Sequence, residues 1–195
     1  MKNQSTYLLF LSAAFLTFLS TGTAAERWVT QNAHVSFFSS TPAEDIHADN
    51  NSVVVVVNSD EDSLGFSIPM QAFEFEKALM QKHFNQKTFL NTKKYPQATF
   101  QGKIEDADNI NFKQNGEYEV TVSGTMSIRG IEQEVSEKGT ITVSDNILSL
   151  NSEFNLTLED YGIAFKKGKP AKNIAKTVKI TIDAENLIRE ASAGA

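Results

Sequence analysis

Hydrophobic and polar residues alternate along most of this chain. Tyr118, Val120, Val122, Met126 and Ile128 fall on one parity, and the same holds for Phe66, Ile68 and Met70, for Ile141 and Val143, for Leu148, Leu150, Phe154, Leu156 and Leu158, and for Val178, Ile180 and Ile182. A period of two puts alternate side chains on opposite faces of an extended backbone, so these segments predict antiparallel strands with one buried face. Val122, Met126 and Leu156 are expected on that face. Between the segments, NSDEDSLG, EDADNINFKQNG and VSDN supply the Asn, Asp and Gly that tight reversals need. Strand, turn and strand in succession predict a meander.

Two segments depart from the alternation. VVVVV, Val53 to Val57, is apolar on both faces and requires cover on its outer side as well. In MQAFEFEKALMQKHFN, Phe75, Leu79 and Phe84 fall near helical spacing, which predicts one helix near residues 71–84 as that cover. Many strands and one helix predict an all-β fold, a closed antiparallel barrel of about eight strands, because closure removes the edges that invite aggregation. An open two-sheet sandwich is the alternative. The polar TPAEDIHADNN after the first strand is expected to form a loop within the domain.

The first residues fall outside the fold. Lys2, the apolar run YLLFLSAAFLTFL and the small residues STGTAA read as a cleaved secretory signal over residues 1–25. The mature chain is then expected to start at Glu26 and to reach the periplasm, with the domain over residues 26–188 and a short tail at 189–195. A retained membrane anchor is the alternative, for which the run is short. About 170 mature residues suit one domain with a sizeable core, and nothing later in the chain is apolar enough to cross a membrane.

Charge and composition then remove several functions. The formal charge is −6, to which Lys2 contributes +1, so the mature chain carries −7 and lacks the basic surface that nucleic-acid binding requires. Cysteine is absent, which removes disulfides, a thiol nucleophile, thiolate metal ligands and a lipid-modified anchor. His34, His47 and His83 form no spaced pair on one strand or turn. NSDEDSLGF has the alternating acids of a calcium loop, but Ser63 and Pro69 occupy the positions that need Gly and a bidentate Glu, so it reads as a solvated hairpin. With 24 acidic residues scattered along the chain, carboxylate pairs arise by chance. No catalytic residue, metal site or cofactor is expected.

Three polar features stand out. His83 ends an apolar helix face and reads either as a helix-terminal residue bonding a backbone carbonyl or as a ligand contact. Arg129, in SIRG, is expected to pair with a neighbouring carboxylate at a strand end. FKKGKPAKN concentrates Lys166, Lys167, Lys169 and Lys172, and its Gly168 and Pro170 argue against helix or strand. It is expected to be a rim loop whose lysines serve solubility alone or meet an anionic headgroup or membrane surface.

HFNQKTFLNTKKYPQATFQGKI, VSGTMSIRGIEQEV and DYGI, in that order, resemble the YceI-like family of secreted polyisoprenoid-binding proteins. The likeness covers essentially the whole mature chain, and FEFEKALMQKHFN looks like a branch found in bacteria of the Bacteroidota type. What the resemblance implies is a lipocalin-like barrel in the periplasm whose interior holds a long isoprenoid or similar amphiphilic chain. Relatives often carry an Arg-Asp pair where Met80 and Gln81 stand, and an Arg where Leu158 stands.

On the residues alone, Phe66, Met70, Phe100, Met126 and Phe154 suit either a cavity for a flexible tail or an ordinary core. Taken with the resemblance, the expected ligand contacts are Phe66, Ile68, Met70, Leu79, His83, Phe84, Phe100, Val122, Met126, Phe154 and Leu156. Affinity needs no charged anchor, since each buried methylene contributes about 0.8 kcal/mol. The expected function is a carrier or sequestering protein for an isoprenoid lipid. A ligand-free, stress-related interaction protein with a packed core and an enzyme acting on such a lipid are the alternatives.

Overall fold

Alternation does become strand, and the strands close on themselves. The computed structural model describes residues 26–163, 165, 166, 169, 170 and 174–190. The first three strands are β1 (Arg27–Ser40), β2 (Asp45–Asn58) and β3 (Ser63–Pro69). A two-residue β4 (Glu74–Phe75) and the helix α1 (Ala78–Asn85) lead to β5 (Gln97–Ile104), β6 (Gly116–Ile128), β7 (Ile131–Ser144) and β8 (Ile147–Thr157). The two-residue β9 (Phe165–Lys166) and β10 (Lys169–Pro170) precede β11 (Thr177–Arg189). The nine-stranded sheet is eight wall strands plus β4, each wall strand pairs antiparallel with the next, and β1 pairs with both β2 and β11. This is a closed lipocalin-like barrel, and the sandwich is set aside.

The predicted reversals lie where strands turn. β6 and β7 are joined by Arg129 and Gly130, with φ of 56° and 75°, and β7 and β8 by Asp145 and Asn146, with φ of 49° and 64°. Positive φ at both central residues marks the two-residue turn whose twist matches that of the strands.

Four expectations need correction. Only residues 41–44 of TPAEDIHADNN form a loop; the rest opens β2. Ala48 and Asn50 point inward there and are fully buried. Asn50 Nδ2 donates to the Pro69 carbonyl at 2.9 Å and its Oδ1 accepts from the Ser52 N–H at 3.0 Å, so a polar residue sits inside with its polarity satisfied. The helix is shorter than residues 71–84, because Met70–Ala72 forms a 3-10 turn and Phe75 belongs to β4. That helix does not cover the valine run either. Val53, Val55 and Val57 are buried inside the barrel and Val54 and Val56 are half-buried outside it, whereas α1 packs near β4, which pairs with Ala48 and Asp49. Arg189, assigned to the tail, pairs with Trp28 at the end of β11.

The inner face divides into two halves. At one end Trp28, Val57, Ile104, Ile141, Val143, Leu148 and Leu187 are buried together, and Trp28 stacks on Phe112 with ring centroids 5.3 Å apart. That end is a packed core. Between the halves Gly102 lies opposite Gly124, and a Cβ on Gly124 would come within 2.2 Å of the Gln101 carbonyl oxygen. Only glycine allows that backbone approach, so Gly124→Ala should lower stability by about 1–3 kcal/mol, the range of overpacking, in urea denaturation.

Candidate functional site

The other half of the barrel is hollow. A cavity of ≈260 Å³ opens beside α1, just below the size range of pockets for drug-sized ligands, which starts at about 300 Å³. Phe66, Ile68, Phe100, Val122, Met126, Phe154 and Leu156 line its walls, and Met70, His83 and Phe84 line its mouth. Strand parity explains the walls. Phe66 pairs with Phe100, Phe100 with Met126, and Phe154 with Ile180, so each pair presents neighbouring side chains to the same interior.

Leu79 is the exception among the expected contacts, being 61 % exposed on the outer side of α1. The helix spacing that grouped it with Phe75 and Phe84 fails because Phe75 lies on a strand. His83 sits in the last turn of α1, and its side chain is exposed at the mouth.

An aromatic cluster builds the mouth. Phe84 lies 5.0 Å from Phe75, 5.5 Å from Phe73, 5.8 Å from Phe37 and 6.3 Å from Phe89, centroid to centroid. Such pairs add about 0.5–1.5 kcal/mol each beyond burial, so they fix α1 over the barrel end. Of this cluster only Phe84 was expected at the site. Phe37 was legible, since it shares parity with the buried Val35, but Phe73 and Phe89 lie on irregular segments that no period marks.

The quoted motifs converge on one corner beside this mouth. Tyr95, of KYP, packs on Gly130, where a Cβ would stand 2.7 Å from its ring. Arg129 Nη1 donates to the Gly162 carbonyl at 2.7 Å, joining SIRG to DYGI. Arg129 thus serves a backbone carbonyl rather than the expected carboxylate, because its hairpin lies beside the turn that follows β8.

Polar groups at the cavity are few. Glu44, His83 and Glu137 are its titratable side chains besides Lys138, which alternates outward from Glu137. Glu137 was missed in the sequence, although Val135, Glu137, Gly139, Ile141 and Val143 share one parity and place it on the inner face. Burial holds its carboxyl above the usual range. Tyr161 is 2 % exposed, and its hydroxyl has no partner among the described residues. Burial, then the nearby charges of Asp160 and Glu137, push that hydroxyl up to about 12.

The consequence for Tyr161 has a definite sign. Its phenol is neutral in both folded and unfolded chains at pH 7, and the unfolded chain loses the proton first, near pH 10. Stability should therefore fall as pH rises from about 10 towards 12. Tyr161→Phe should lose this alkaline dependence and gain about 1 kcal/mol at pH 8, since an unpartnered buried hydroxyl is removed. Urea midpoints of both proteins at pH 8 and pH 11 check it.

FKKGKPAKN contains a short ribbon, Lys166 opposite Lys169 and Phe165 opposite Pro170, where no strand was expected. Proline is accommodated because a two-residue edge pairing does not require its missing N–H. Lys167 and Lys172 lie outside the described residues, as does the expected signal over residues 1–25. Among the described residues no helix is long and apolar enough to cross a membrane.

Known proteins place this architecture. No curated protein matches the chain. Among solved structures, it is similar to BcnA of Burkholderia cenocepacia, at 18 % identity and a TM-score of 0.63, covering 77 % of this chain and 94 % of that one. It is also similar to a polyisoprenoid binding domain from Saccharophagus degradans implicated in plant cell wall breakdown, at 12 % identity and a TM-score of 0.67, covering 82 % and 98 %. A Campylobacter jejuni YceI protein matches at 15 % identity and a TM-score of 0.57, covering 96 % and 99 %. At these identities the likeness is one of fold. The family model of the YceI-like domain matches residues 27–186, nearly the whole barrel, and the chain therefore belongs to the YceI-like domain family.

Proposed function

We propose that this protein is an exported binding protein that carries or sequesters a polyisoprenoid or similar long-chain lipid in the hollow half of its barrel. The observation that carries this reading is the division of the interior. One end is closed by a packed core around Trp28, and the other holds an apolar cavity of ≈260 Å³ behind a phenylalanine-lined mouth. A core that had only to be stable would fill both halves, since interiors pack to crystal-like density. The polyisoprenoid-binding domain of similar fold supports the choice of ligand, and the sequence of residues 1–25 supports export to the periplasm. Lys166, Lys167, Lys169 and Lys172 are the proposed contact with an anionic membrane surface.

Thermal unfolding with the C20 alcohol geranylgeraniol tests the reading. A ligand that binds only the folded protein stabilises it by RT ln(1 + [L]/Kd), about 2.7 kcal/mol at a hundredfold excess over Kd. A Tm that rises with alcohol concentration is expected. An unchanged Tm at saturation would favour the ligand-free interaction protein.

A further inference from the structure

The cavity wall is not continuous. β7 and β8 are paired from Ser144 opposite Ile147 to Thr140 opposite Asn151 and no further. β7 nevertheless stays paired with β6 as far as Ile131, and β8 with β11 as far as Thr157. At the fork Gly139 approaches β8 so closely that a Cβ would stand 2.8 Å from the Asn151 carbonyl oxygen. Ser152 Oγ then donates to the Lys138 carbonyl at 2.6 Å, a side-chain bond where the backbone ladder would have continued. The far end of the seam is spanned by Gln133 Nε2, which donates to the Asp160 carbonyl at 2.9 Å.

Glu137 stands beside this seam on the inner face. It lies opposite Val122, lines the cavity and is half-buried. Among the described residues it has no ion pair or hydrogen-bond donor, whereas the other cavity carboxylate, Glu44, is held by Lys77 at 3.1 Å. The nearby Tyr161 and Asp160 bring no positive charge. An apolar chamber thus has one unpaired acidic group set into its wall, next to a gap in the ladder.

We propose that Glu137 selects the polar end of the bound lipid, accepting a hydrogen bond from a terminal hydroxyl and rejecting the same tail when it ends in phosphate. The proposal rests on the lipid-binding reading above and names the headgroup class. An ionised carboxylate only accepts, and an O–H donor forms a short, charge-assisted bond to it. A half-buried carboxylate without a partner is costly, and a ligand hydroxyl relieves that cost. A phosphate would instead place like charges a few ångströms apart beside low-dielectric walls, which is discrimination by repulsion.

The test offers equimolar geranylgeraniol and geranylgeranyl monophosphate in phosphatidylcholine vesicles to the wild type, to Glu137→Gln and to Glu119→Gln, an exposed site on the outer face. Bound lipid is quantified by mass spectrometry after reisolation, and thermal unfolding verifies folding, with Glu137→Leu as a second variant if Gln is not tolerated. The wild type and the Glu119 variant should load the alcohol at least about tenfold over the phosphate, and the Glu137 variant should discriminate less than about threefold, having gained phosphate binding. Equal loading of both lipids by the wild type, or retained preference in the Glu137 variants, overturns the proposal and leaves lipid binding intact. Failure of the wild type to load either lipid overturns both.

Discussion

Trp28→Ala should cost this protein about 3–5 kcal/mol of stability, the range for removing a buried aromatic ring. The indole is 1 % exposed, pairs in register with Val57 and Arg189, and stacks on Phe112 of the segment that crosses the closed end. With no disulfide available, nothing covalent limits the loss. A domain of this size has about 5–15 kcal/mol in total, so the variant keeps a fraction of it. Urea denaturation with an unchanged m-value measures the effect. A loss below about 1 kcal/mol would mean that the closed end relaxes around the void and is not the rigid half of the barrel.

Met126→Trp should act in the opposite way, on ligand rather than on stability. Met126 lies on the inner face of β6 opposite Phe100, is half-buried, and lines the cavity. An indole there would occupy space that a lipid tail needs, and bound geranylgeraniol should fall at least about tenfold while stability stays within about 1 kcal/mol of wild type. If the interior were a filled core, the same substitution would cost about 1–3 kcal/mol in overpacking and leave lipid content unaffected. The pair of readouts separates the two interiors. Normal lipid content in a well-folded variant would move the ligand out of the barrel.

These two substitutions mark the halves that strand parity alone does not distinguish. Period two places Val122, Met126, Val143 and Leu150 alike on the inward face of their strands, and all four are inside. Which of them meet packed neighbours and which meet a cavity depends on the segments that close each end. Phe112 follows a 3-10 turn and plugs one end, and Phe73, Phe84 and Phe89 sit on short or irregular elements around the other. Such segments carry no period.

The helix shows the same limit. Phe75, Leu79 and Phe84 have helical spacing, but β2 offers an edge for Glu74 and Phe75, and backbone pairing there overrides the spacing. Leu79 is left outside as a result. Asn50 errs in the other direction, because a polar side chain with two backbone partners satisfies the interior as well as an alanine does. Glu137 could have been found from parity, since it interrupts an inward-facing series between Val135 and Ile141. Its significance could not, because the missing β7–β8 pairing beside it is a property of the sheet.

Whether the hollow half of the barrel holds a lipid is decided by organic extraction and mass spectrometry of the protein purified from its own cells without added ligand. The expected result is a long-chain, isoprenoid-type lipid approaching one molecule per chain, lost in Met126→Trp. Extracts that contain no such lipid from wild-type protein, together with no uptake of geranylgeraniol from vesicles, would contradict it.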